Sequence, residues 1–309
     1  MKEEDLNDLI GEEESEVEDD SPPWEEESEN EGSEVEDNAK PVSEEDKIID
    51  LRKNKFSIFM DLLRILKDTC TDLALEKGKI QQLSDKRQCI FSIDTKSIMG
   101  NTNLLMSSVA TKHDLLEIFR KQHVDMYLEI NDSNYIFRDS ISKLEFIKPM
   151  EEYMENKFMP DSHLNKKVIK KDLLEKILEF DFDKVMLDRL MNSSKILKAN
   201  VLTLIFEDGK ANFIVKAGDS SSTTKISVVE VEDELEDPDI EGSLNFIIDV
   251  FMSFINGGIE SLKFEVFNNK NKEEDFILKL TGDLTIEDEE ITVPVIAWVP
   301  SEIKPLKRS

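Results

Sequence analysis

Beyond residue 46 the apolar residues follow two spacings in turn, one that suits a helix and one that suits a strand, and the succession recurs four times. Each copy reads as a short strand, an amphipathic helix, a strand ending in a tight polar turn, and further strands. In the first copy Ile58, Phe59, Leu62, Ile65 and Leu66 form one apolar face of a helix from Ile58 to Asp68, with Arg64, Lys67 and Asp68 off it. Asp72 to Glu76 then alternates as a strand, Lys77-Gly78-Lys79 turns, Ile80 to Ser84 returns, and Cys89 to Ile93 adds another strand.

In the second copy Leu105 to Ala110 is a strand, and Thr111 caps a helix running to Lys121 with Leu115, Ile118 and Phe119 on its buried face. Asp125 to Ile130, a turn at Asn131 to Asn134, Tyr135 to Phe137 and Ile141 to Ile147 complete it. The third copy runs from a strand at Ile177 to Phe182 through a helix from Asp183 to Leu197, carrying Val185, Leu187 and Leu190, into Val201 to Phe206. Asp208-Gly209 makes its hairpin turn, followed by Ala211 to Val215 and Lys225 to Val231. The fourth has Leu244 to Ile248, a helix from Asp249 to Asn256 stopped by Gly257-Gly258, and strands at Leu262 to Phe267, Phe276 to Leu280 and Val293 to Val299.

Two copies make about 100 residues, an ordinary domain size. The expected fold class is therefore α+β, with two similar domains of repeated β-α-β-β-β units at residues 47–149 and 177–309. Residues 150–176, with Lys166, Lys167, Lys170 and Lys171, form a connector that includes a helix around Lys170 to Ile177.

Charge adds a separate segment. The net charge is −30, and residues 1–40 hold 19 acidic side chains against Lys2 and Lys40. Such runs repel one another and bury too little apolar surface to offset their ordering entropy, so residues 1–46 read as a disordered acidic tail. Leu6, Leu9, Ile10 and Trp24 break its polarity, either as a partner-docking segment or as parts of a solvating tail. Nothing opens the chain like a secretory signal, and no apolar run approaches the roughly 20 residues of a membrane span, so a soluble, cytoplasmic protein is expected.

Familiar catalytic chemistry finds no pattern here. Cys70 and Cys89 offer neither a disulfide framework nor metal spacing and are expected to be unreactive. His113, His123 and His163 are scattered, and no phosphate loop or nucleophile elbow occurs. The acidic runs Glu232-Asp233-Glu234 and Glu287-Asp288-Glu289-Glu290 read as solvated loops rather than a nuclease metal site. The expectation is a non-enzyme without metal or other cofactor.

Short stretches do resemble a known family. Glu179-Phe180-Asp181-Phe182 through Asp208-Gly209-Lys210 to Val215 resembles the start of the second domain in T-even phage sliding clamps. Ser243 to Ile248 followed by Gly257-Gly258 is similar to the last helix region of those clamps. Ala297-Trp298-Val299-Pro300-Ser301-Glu302-Ile303 looks like the end of proliferating cell nuclear antigen, and Phe59 to Thr71 resembles its first helix. The acidic tail and the insertion at Glu287 to Glu290 have no counterpart.

The resemblance implies a DNA-replication processivity factor: a homotrimeric ring, assembled head to tail, with helices lining a hole around double-stranded DNA. Partners are then a replicative DNA polymerase and a clamp loader that bind through short peptides, and a bacteriophage source would place the protein in the host cytoplasm. Arg64, Lys67, Lys112, Arg120, Lys121, Lys184, Arg189, Lys195 and Lys198 become the DNA-facing cations, while the fourth helix carries none. Tyr153, Met154, Phe158, Met159, Val299, Pro300 and Ile303 become the partner-peptide groove. Ile141, Leu144 and Phe146, in the strand Ile141 to Ile147, would meet Ile226 and Val228 of a neighbour's Lys225 to Val231. Enclosure also suits the charge, because open-surface binding to phosphates relies on many Lys and Arg contacts. Two other readings stand beside it: an acidic DNA mimic that inhibits a DNA-binding enzyme, and a structural assembly protein.

Overall fold

The computed structural model describes residues 48–52, 54–122, 125–150, 157–165, 171–208, 210–216, 225–231, 240–270, 272–286, 290–301 and 307–308. The acidic tail, Tyr153, Met154, Ile303 and the runs 232–234 and 287–289 lie outside them. Both expected clamp domains fall within one compact unit, residues 41–309.

Its first half runs β1 (Ile48–Asp50), α1 (Lys55–Leu66), β2 (Leu73–Glu76), β3 (Lys79–Leu83), β4 (Ile90–Asp94), β5 (Leu104–Met106), α2 (Val109–Arg120), β6 (Tyr127–Ile130), β7 (Asn134–Arg138) and β8 (Lys143–Ile147). The second half repeats that order: β9 (Leu174–Phe182), α3 (Lys184–Leu197), β10 (Val201–Glu207), β11 (Lys210–Lys216), β12 (Lys225–Val231), β13 (Ile240–Ile247), α4 (Ile248–Asn256), β14 (Leu262–Asn269), β15 (Lys272–Ile286) and β16 (Ile291–Pro300). Strand β17 (Lys307–Arg308) follows, and short helical turns occupy Lys96–Met99 and Asp161–His163.

Pairing repeats as well. One sheet has the order β1-β6-β7-β8, a second β12-β11-β10-β13-β17, and an eight-stranded sheet runs β5-β2-β3-β4-β16-β15-β14-β9. The arrangement β1-β6-β7-β8 in the first half thus matches β9-β14-β15-β16 in the second, and β5-β2-β3-β4 matches β13-β10-β11-β12. The halves join where β4 pairs antiparallel with β16, Val295 opposite Ile93 and Trp298 opposite Ile90.

The helices pack as a row, α2 on α1, α1 on α4 and α4 on α3. A single apolar core lies beneath them; within it Phe91 of β4 stacks on Phe254 of α4, and Phe264 of β14 meets Phe182, Phe213 and Phe251. Two glycines are required by geometry. Gly78 closes the β2–β3 hairpin at φ +75°, where a Cβ would lie 2.1 Å from the Gly100 carbonyl oxygen. Gly257 ends α4 against α1, and a Cβ there would lie 2.2 Å from Ile65 Cγ1.

Three sequence expectations are corrected. Residues 174–176, expected in a helix, begin β9 ahead of the strand expected from Ile177, because pairing with β14 continues as far as Leu174 opposite Asn269. Helix α2 starts at Val109, so Thr111 lies inside it rather than capping it. Its buried face is Val109, Lys112, His113, Leu116 and Phe119, whereas Leu115 and Ile118 are 40% and 57% exposed.

Candidate functional site

The candidate residues fall in three regions: the solvent side of the helix row, the sheet edges, and the outer face of the eight-stranded sheet.

On the helix row, α1 and α2 cross through a charge cluster. Arg64 lies 3.4 Å from Glu117 and 3.8 Å from Asp61, while Arg120 donates to Asp61 at 2.7 Å. Lys67 reaches Asp114 at 3.5 Å and His113 Nδ1 at 3.4 Å. Burial pushes the Asp61 carboxyl above its ordinary pKa, and the Arg120 guanidinium opposes that rise without cancelling it. Three cations expected at the DNA therefore face carboxylates of their own chain.

Lys112 departs further from expectation. It is 8% exposed, donates through Nζ to the Ser107 carbonyl at 2.5 Å, and lies over the Phe146 ring at 5.5 Å. Burial lowers its ammonium pKa. Its alkyl stem lets a lysine occupy the inner face of α2, so it does not line the solvent side.

Helix α3 keeps its cations outward. Asp183 caps it, accepting the Met186 N–H at 2.8 Å. Leu187 and Leu190 are buried, while Lys184, Arg189 and Lys195 along the helix and Lys198 at its C-cap are exposed. Lys184 pairs with Glu260. Lys121, just past α2, is exposed too, and the exposed residues of α4 include Asp249 and Asn256 but no cation. The missed partners Asp61, Asp114 and Glu117 were visible in sequence only as polar positions.

At the sheet edges β8 and β12 each end a sheet. Ile141, just before β8, and Ile147, its last residue, are 93% and 82% exposed, and Met150 follows at 79%. Leu144 is half-buried, and Phe146 is a core residue set edge-on to Phe137. Ile226 is half-buried, and the Val228 side chain lies outside the described ones. Of the expected seam residues, then, Ile141 is fully available and Phe146 turns inward.

On the outer sheet face, strand alternation divides β16. Val295, Ala297 and Val299 enter the main core, whereas Ile296 and Trp298 face away from the helices into a smaller cluster with Ile90, Leu164 and Met159. Val299, expected in the groove, is thus a core residue, and its neighbour Trp298 lies on the outer face instead. Pro300 is exposed, and Phe158 and Met159 are half-buried. Cys70 and Cys89 are buried, and desolvation pushes their thiols up to about 11 and about 12.

This architecture has known counterparts. Proliferating cell nuclear antigen (PCNA) from Thermococcus kodakaraensis superimposes over 82% of this chain and 99% of its own at 10% identity and a TM-score of 0.53. PCNA from A. fulgidus, solved with the C-terminal region of FEN-1 bound, matches over 83% and 98% at 11% identity and a TM-score of 0.56. The PCNA2–PCNA3 complex from Sulfolobus tokodaii matches over 82% and 99% at 14% identity and a TM-score of 0.55. No protein-family model and no curated protein sequence matches the chain. The chain has the fold of the sliding clamps. Within that class the fold is PCNA-like. No helix among the described residues is long and apolar enough to cross a membrane.

Proposed function

We propose that this chain is a sliding clamp: three copies close head to tail around double-stranded DNA and tether a replicative polymerase. One observation carries the reading. Strands β4 and β16 join the two halves within the chain, and their counterparts β12 and β8 are both left at sheet ends. An unpaired edge with isoleucines just before it and at its end, at 93% and 82% exposure, promotes association unless a partner covers it. Pairing β8 with β12 of a neighbour repeats between chains the junction already present inside one, and a head-to-tail interface of this kind closes into a ring.

Electrostatics agrees with holding by enclosure. A chain of net charge −30 gains little from open-surface contact with phosphates, and its α1–α2 cations are largely matched by carboxylates. The exposed Lys195 and Lys198 of α3, with Lys121, supply the local positive surface along which DNA slides. Partner proteins dock short peptides on the outer sheet face; the archaeal clamp solved with the C-terminal region of FEN-1 bound supports peptide docking on this fold. Loading onto nicked circular plasmid tests the proposal: retained protein should be lost when the circle is cut, and equal retention on linear DNA would overturn it.

A further inference from the structure

Residues 157–165 cross the outer face of the eight-stranded sheet as a strap. Met159 and Leu164 are its apolar anchors, packed in the cluster built on Ile90 and Trp298, and the single turn Asp161–His163 lies between them. Two ion pairs of opposite polarity pin it: Lys157 Nζ lies 3.4 Å from Asp72 Oδ2, and Lys79 Nζ donates to Asp161 Oδ2 at 2.9 Å. Between these pins the Met159 N–H donates to the Gln81 carbonyl at 2.7 Å, where β2 and β3 have ceased to pair.

The seat is imperfect. Gln81 is 1% exposed, yet its Nε2 finds no acceptor among the described residues, and the buried Asn165 Oδ1 finds no donor. Buried polar groups are normally satisfied, so a groove that strands an amide donor fits a second occupant better than its present one. The outer of the two pins is also weak: Lys79 is 35% exposed and Asp161 59%, where solvent screens the attraction, whereas Asp72 beneath Lys157 is buried.

We propose that this strap is a displaceable plug, an intrachain competitor that fills the docking groove at rest. It rests on the reading that partner peptides bind this face. A partner peptide enters by supplying two apolar anchors on either side of one helical turn, a carboxylate for Lys79 and a carbonyl for Gln81 Nε2. Docking is thereby gated by release of the strap.

The test uses the full chain and a fluorescein-labelled peptide of residues 157–165 as probe, read by fluorescence polarisation. Asp161→Ala, an exposed substitution that removes the strap's hold on Lys79 and leaves Lys79 in place, should bind the probe at least about two- to fivefold more tightly than the unaltered chain. Met159→Ser with Leu164→Ser, which empties the groove, should raise affinity at least about tenfold. Equal affinity across all three proteins, undetectable binding included, overturns the proposal; should the double variant fail to fold, Asp161→Ala decides alone. Sedimentation of the same samples separates the two readings: ring-sized particles with an unresponsive probe sink the plug and leave the clamp.

Discussion

The seam allows a worked perturbation. Ile141 and Ile147 are 93% and 82% exposed in the single chain, so their apolar surface is available to a neighbour. Fully burying one such side chain is worth about 1.5–3 kcal/mol, and two together about 3–6 kcal/mol. Allowing for incomplete burial at an interface, Ile141→Ser with Ile147→Ser should weaken each seam by about 3–4 kcal/mol, roughly 100- to 1000-fold in dissociation constant. The subunit's own stability should change by less than about 1 kcal/mol, because neither side chain lies in its core. Phe146→Ala supplies the contrast: that ring is 8% exposed and packs on Phe137, so its loss should cost the fold about 3–5 kcal/mol. Sedimentation velocity over a concentration series, with denaturant melts of each variant, separates the two effects. A shift of the assembly midpoint by less than tenfold in the isoleucine variant would refute the reasoning.

Other substitutions test other parts of the structure. Arg64→Glu places a third carboxylate beside Asp61 and Glu117 and should destabilise the fold by about 1–3 kcal/mol in urea melts, whereas Lys195→Glu on exposed α3 should leave stability within about 0.5 kcal/mol and reduce retention on circular DNA. Gly257→Ala favours helical backbone by up to about 1 kcal/mol but drives a methyl into Ile65, so a net loss of about 1–2 kcal/mol is expected, shrinking when Ile65 is also Ala. The Arg52 side chain holds Asp50 down at about 2, from an ordinary 3.8. A depressed carboxyl stabilises the fold above its unfolded pKa, so the difference between Asp50→Asn and the parent, below about 1 kcal/mol for so exposed a pair, should be full above pH 3.8 and vanish as pH falls through about 2.

The repeated order of elements was legible because each copy carries its own local signals. Lys225 to Val231 appears as read, the Lys77-Gly78 turn falls where the glycine demands it, and the third helix begins just after its capping Asp183. Periodicity alone misplaced α2, since Lys112 and His113 fill inner positions that a hydrophobic count assigns to Leu115 and Ile118. A lysine stem and a histidine ring bury apolar surface without registering as apolar residues. The site was less legible for a related reason. Asp61 and Arg120 stand 59 residues apart, as do the two sides of the strap's hold at Lys79 and Asp161, 82 apart, and only the packing of helices and sheet brings them together. Only the start of β9 was hidden, because what makes Leu174 to Lys176 extended is pairing with β14, more than ninety positions downstream, rather than any local preference.

The central claim is that equivalent junctions, one inside the chain and one between chains, close a ring. Electron micrographs of the full chain, at concentrations where its oligomer dominates, test this most directly. The account predicts two-dimensional averages of an annulus with a central opening wide enough for duplex DNA. Compact particles with no opening, or open-ended filaments, would contradict it.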